Sequence, residues 1–73
     1  ENIFRQELIV EINKIIENLP EKFRVPLILY YFFEQAVGEI AKEIKKPPGT
    51  VKSRLFKGRS MIKKRLEELG YGK

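Results

Sequence analysis

Between residues 2 and 18, Ile3, Phe4, Leu8, Ile9, Ile12, Ile15 and Ile16 recur at helical spacing. They predict an amphipathic helix with one broad apolar face. Leu19-Pro20 ends it and opens the next, since proline suits a first helical position. Phe23, Val25, Leu27, Ile28, Tyr31 and Phe32 then predict a second helix, apolar around much of its surface. Pro26 lies inside it; an interior proline removes one backbone bond and costs about 3 kcal/mol, so either the helix starts late or it bends at the Lys22 carbonyl, and the bend is the expectation. A third helix is predicted over 36–44, with Val37, Ile40, Ala41 and Ile44 on one side and a weakly marked start at Ala36 and Gly38. After Lys45-Lys46-Pro47-Pro48, a fourth runs from about Gly49 to Leu69 along the apolar line Val51, Leu55, Met61 or Ile62, Leu66 and Leu69. Gly58 sits in it where another backbone can come close. No strand alternation or repeat interrupts the pattern. The fold class is all-α, a small four-helix domain over residues 1–69 with a tail at 70–73 expected to fray.

Composition narrows the chemistry. Seventy-three residues make one modest domain, which at this size buries only about 60% of the surface its unfolded chain exposes. Cys, His and Asp are all absent. Their absence removes disulfides, imidazole catalysis and nearly every zinc or calcium ligand set. The expectation is no enzyme, no metal and no cofactor. No apolar run reaches the roughly 18 residues of a membrane span, and the lack of Cys fits a reducing cytoplasm. The chain opens directly on an amphipathic pattern without Met, and we read it as a piece of a longer protein.

Charge is unevenly placed. The net charge is +5, but residues 1–44 hold five Lys/Arg against eight Glu, and residues 45–73 hold ten against two. Such asymmetry is expected when one end of a domain meets phosphate; a solvated basic helix is the plainer reading. A short helix, a tight turn and a longer basic helix form a helix-turn-helix arrangement. In it Ala41 is small where two helices cross, Val51 and Leu55 point inwards, and the start of the last helix faces the major groove. Its N–H groups and positive dipole end suit a phosphate near Gly49 and Thr50.

Three runs carry a family resemblance: Leu19-Pro20-Glu21-Lys22-Phe23-Arg24, then Glu39-Ile40-Ala41, then Pro47-x-Gly49-Thr50-Val51-Lys52-Ser53-Arg54-Leu55. At their mutual spacing they resemble region 4 of bacterial RNA polymerase sigma factors, most nearly the extracytoplasmic-function group, over roughly residues 8–69. The resemblance implies a domain that binds the promoter −35 element in double-stranded DNA and docks on the flap of the polymerase β subunit. An anti-sigma factor is a further implied partner. By position, Lys52, Ser53, Phe56 and Lys57 match groove-facing side chains. The lysines suit guanine acceptors, and Phe56 suits a thymine methyl or sugar. Pro48, Gly49, Thr50, Arg54 and Arg59 complete the expected DNA-binding set, chiefly at phosphates, which fix register without reading sequence.

Each of these has a plainer alternative. Phe56 can be a partly buried core aromatic, Arg54 an intradomain partner of a glutamate, and Ser53 a small surface residue. The chain also departs from the family pattern. Lys45 stands where the turn usually has Gly, which implies a left-handed residue at a cost of roughly 1 kcal/mol. Lys46 replaces an aliphatic residue, Tyr30 a frequent Arg, and Ala36 a Ser or Thr cap. Leu27, Tyr30, Tyr31 and Phe33 are the candidate partner-binding residues, because Tyr30, Tyr31, Phe32 and Phe33 cannot all face one small core; the plainer alternative is that the first helix covers most of them. Two other functions remain open from sequence: a protein-interaction module serving mainly an anti-sigma factor or other polymerase regulator, and a response-regulator output domain. The Leu-Pro-Glu-Lys and Pro-x-Gly-Thr-Val runs argue against the last.

Overall fold

The computed structural model describes residues 3–71, with side chains from Arg5 onwards. Four helices follow one another: α1 (Ile3–Glu17), α2 (Glu21–Tyr31), α3 (Val37–Ile44) and α4 (Pro48–Glu68). No strand occurs among the described residues. The long α4 packs against all three of the others and is the spine of the domain. Leu19, Leu27, Ile40, Ala41, Val51 and Leu55 form the buried cluster, flanked by Phe23, Leu29, Val37, Ile44, Met61 and Ile62.

The apolar face of α1 is narrower than its periodicity suggests. Ile15 and Ile16 are buried and Leu8 and Ile12 half-buried, but Ile9 is exposed beside Val10. The expected contributions of Ile3 and Phe4 lie outside the described side chains. The α1–α2 corner shows why Leu-Pro-x-x-x-Arg is a useful unit. Leu19 plugs the core, and Pro20 at the N-cap hands its carbonyl to the N–H groups of Phe23 and Arg24, each at 3.0 Å. The Arg24 guanidinium then donates back to the Leu19 carbonyl at 3.2 Å. α2 starts at Glu21 and runs without a break past buried Pro26, so the proline does not delay the helix.

α2 ends at Tyr31, and the chain reverses through Glu34, whose φ of 53° is left-handed. There the Gln35 N–H donates to the Leu29 carbonyl at 3.0 Å. Ala36 has no side chain able to cap α3. Glu39 compensates from the other direction, its Oε1 accepting the Ala36 N–H at 2.9 Å.

The turn between α3 and α4 takes the form the unusual lysine implied. Lys45 has φ 59° and ψ 46°, and the Lys46 N–H donates to the Ala41 carbonyl at 3.0 Å. This closes α3 in the left-handed geometry that glycine usually supplies. Pro47 and Pro48 then set the angle of α4, with Pro48 in its first turn. At the far end, Gly70 (φ 96°) donates to Glu67 and Tyr71 to Leu66, so both bond back onto α4. The rest of the tail, Gly72 and Lys73, lies outside the described residues.

Candidate nucleic-acid interface

On α4 the inward residues recur at helical spacing: Val51 (0% exposed), Leu55 and Gly58 are buried. Ile40 and Ala41 meet this stripe from α3, the small Ala41 letting the two helices close. With one side of α4 fixed so firmly, the side chains between the buried positions must face outwards. Pro48, Gly49, Lys52, Ser53, Phe56, Lys57 and Arg59 are exposed, and Thr50 and Arg54 are half-buried. No side chain caps the first turn of α4. Its N–H groups therefore present a positive end beside exposed Gly49.

Phe56 decides between its two readings. At 70% exposure it is the most exposed large apolar residue described, so it is not a core aromatic. Arg54 makes no ion pair to a glutamate of the preceding helices. The ion pairs described are Lys14–Glu11 and Arg65–Glu68, both within single helices.

The expected DNA-binding residues do not form one uniform face. Gly49, Thr50, Ser53, Arg54 and Lys57 border an open recess of about 440 Å³, whose opposite wall is Lys22 and Phe23 of α2. Arg59 instead donates a hydrogen bond of 2.8 Å to the Tyr31 hydroxyl. Tyr31 in turn stands edge-on to Tyr30, with ring centroids 4.9 Å apart. Arg59 is thus held by α2 as well as being exposed, which sequence reading missed. Lys22 was also missed: helical periodicity records which side chains share a helix, not which sit across from a second one.

The aromatic run stays together at the surface and is not covered by the first helix. Tyr30, Tyr31, Phe32 and Phe33 are all exposed, Phe33 at 66%. Leu27 must be removed from the partner-binding set. It is 1% exposed, sits in the core cluster and packs against Gly58. Phe32 belongs with the exposed group and was not among the expected contacts. Another recess, about 600 Å³, lies between α1 and the C-terminal half of α4 and involves none of the candidate DNA-binding residues.

An outward basic helix locked at the end of a helix-turn-helix is the architecture that the family comparison then identifies. The family model for sigma-70, region 4, matches residues 9–62. The chain belongs to the sigma-70 region 4 family. Over 63 residues it is 38% identical to the ECF RNA polymerase sigma factor SigW of Bacillus subtilis, covering 86% of this chain and 34% of that protein. Over 67 residues it is 36% identical to the RNA polymerase sigma-H factor of Pseudomonas aeruginosa, covering 92% of this chain and 35% of that one. The chain thus spans about a third of the length of these relatives. Region 4 is the −35-binding part of sigma factors. No helix among the described residues is long and apolar enough to cross a membrane.

Proposed function

We propose that this domain recognises a promoter −35 element and docks on RNA polymerase during transcription initiation, acting in the cytoplasm without catalysis of its own. The observation that carries the reading is the split of α4. Val51 and Leu55 are locked into the core, while Lys52, Ser53, Phe56 and Lys57 project from the same turns into solvent. A rigid helix with its start exposed can enter a major groove and offer lysine donors and an apolar ring to base edges. Pro48, Gly49, Thr50 and Arg54 then serve the backbone, where contacts set register. Arg59 reaches phosphate only from the position its bond to Tyr31 allows.

The test is a titration of a promoter duplex at several salt concentrations. With about five phosphates neutralised, log K should fall with log[salt] at a slope of roughly −4 to −5. A slope near zero removes DNA binding as the role of the basic half.

A second role rests on a separate observation, the exposed group Tyr30, Tyr31, Phe32 and Phe33. Clustered exposed aromatics mark protein contacts. They fit docking on the β flap or on an anti-sigma factor, the relatives both being named as sigma factors. Replacing Lys52 and Lys57 with alanine separates the roles. Promoter binding should be lost and polymerase binding kept if the two surfaces are distinct, whereas an interaction module alone would show no DNA defect.

A further inference from the structure

The recess between α2 and α4 collects positive charge from two helices that are far apart in sequence. Lys22 and Phe23 form one wall, and Thr50, Ser53, Arg54 and Lys57 the other. Three cations therefore converge on one opening, and none of them belongs to an ion pair described in the chain. Glu21 borders an adjoining recess with Lys22 and Arg54, but it forms an ion pair with neither. Lys22 keeps its ammonium 5.2 Å from the centroid of the Phe23 ring, at the rim of the opening.

Arg54 is the stronger sign. It is half-buried, yet no described protein acceptor takes a hydrogen bond from its guanidinium. An arginine has five donors in a fixed fork, and none of the Arg54 nitrogens is closed off from solvent, so the fork stands open at the recess to take an anion. The hydroxyls of Thr50 and Ser53 add two more donors on the same wall, beside the uncapped start of the 21-residue α4. A phosphodiester offers oxygens enough for a guanidinium, ammonium groups and a hydroxyl together.

We infer that Lys22, which lies outside the helix-turn-helix, joins Thr50, Arg54 and Lys57 to hold one backbone phosphate of the bound duplex. This inference rests on the DNA-binding reading above and extends it to α2. The first turn of α2 then does two things: it sets the α1–α2 corner, and it clamps the strand that runs along this flank of α4. Because the contact is to phosphate, it adds affinity equally on every sequence and contributes nothing to base choice.

The experiment compares the 73-residue chain with its Lys22→Ala, Lys22→Arg and Lys14→Ala variants, titrating a fluorescent duplex of random sequence between about 50 and 200 mM salt. Lys14 is the control, being a lysine of α1 paired with Glu11 and away from the recess. Lys22→Ala should reduce the steepness of log K against log[salt] by about 0.9, with binding about three- to tenfold weaker at low salt. Lys22→Arg should restore both, and Lys14→Ala should change neither. Far-UV circular dichroism checks that all variants remain helical. A parent chain with a steep slope that Lys22→Ala leaves unchanged overturns the inference and leaves the DNA reading standing. A parent chain with no slope overturns both.

Discussion

Replacing Gly58 with alanine puts a methyl group where α2 crosses α4. A Cβ built at Gly58 lies 2.8 Å from Leu27 Cδ1, 3.3 Å from Leu27 Cγ and 3.6 Å from Phe23 Cβ. Rotating one methyl of Leu27 does not clear it, because Cγ is also too near and Leu27 is 1% exposed, with no open side to move into. Leu27 has to repack or α2 to shift, and overpacking of this kind costs about 1–3 kcal/mol. Alanine returns about 0.8–1 kcal/mol through its better helix propensity. The expected net is a destabilisation of about 1 kcal/mol, a sizeable part of the roughly 4–11 kcal/mol typical of a domain this long. Gly38→Ala is the internal comparison, since nothing lies within 4 Å of a Cβ there and the change should be neutral or stabilising by up to about 0.8 kcal/mol. Urea unfolding followed by circular dichroism, with m unchanged, reads both. A double-mutant cycle with Leu27→Ala adds a direct readout of the contact. Truncating Leu27 costs about 2–5 kcal/mol in the parent. In the Gly58→Ala background it should cost about 1–3 kcal/mol less, because the added methyl fills part of the space. If Gly58→Ala stabilises the domain as much as Gly38→Ala, the close approach of α2 to α4 is not where the structure puts it.

The other predictions concern the turn, the groove and the aromatic link. Lys45→Gly relieves a left-handed residue (φ 59°) that costs about 1–2 kcal/mol, against about 0.5–1 kcal/mol of extra glycine entropy. Thermal unfolding should show Tm higher by about 2–8 °C; a fall would mean that the Lys45 side chain stabilises the turn. Phe56→Ala should leave unfolding within about 0.5 kcal/mol of the parent while weakening cognate promoter binding about tenfold. Leu55→Ala, at a position three per cent exposed, should instead cost about 2–5 kcal/mol of stability. Tyr31→Phe keeps the ring but removes the acceptor for Arg59. It should shift stability by less than about 0.5 kcal/mol and speed exchange of the Arg59 guanidinium in nitrogen-15 NMR spectra; unchanged exchange would show that the bond does not persist in solution.

How far the chain could be read from sequence depends on whether a property belongs to one helix or to a pair. Val51 and Leu55 are legible because a 3.6-residue period marks one face of α4, and that face is buried. Lys45 is legible because a turn of fixed geometry needs a left-handed residue whatever its side chain. Leu27 and Tyr30 cannot be told apart that way, because α2 is apolar on too many sides for periodicity to choose. The choice comes from Gly58, whose missing side chain leaves room for Leu27 and draws α2 onto α4 at that point. Once α2 is seated there, Tyr30, Tyr31, Phe32 and Phe33 are carried past the edge of the core into solvent. Tyr31 comes within reach of Arg59, and the first turn of α2 swings Lys22 across to Thr50, Arg54 and Lys57. The partner-facing aromatics and the extra cation of the DNA-facing flank therefore share one cause, a glycine in the helix expected to enter the groove. The seating of α2 on Gly58 should govern both surfaces: a variant that displaces α2 without unfolding the domain should disturb phosphate binding and aromatic docking together.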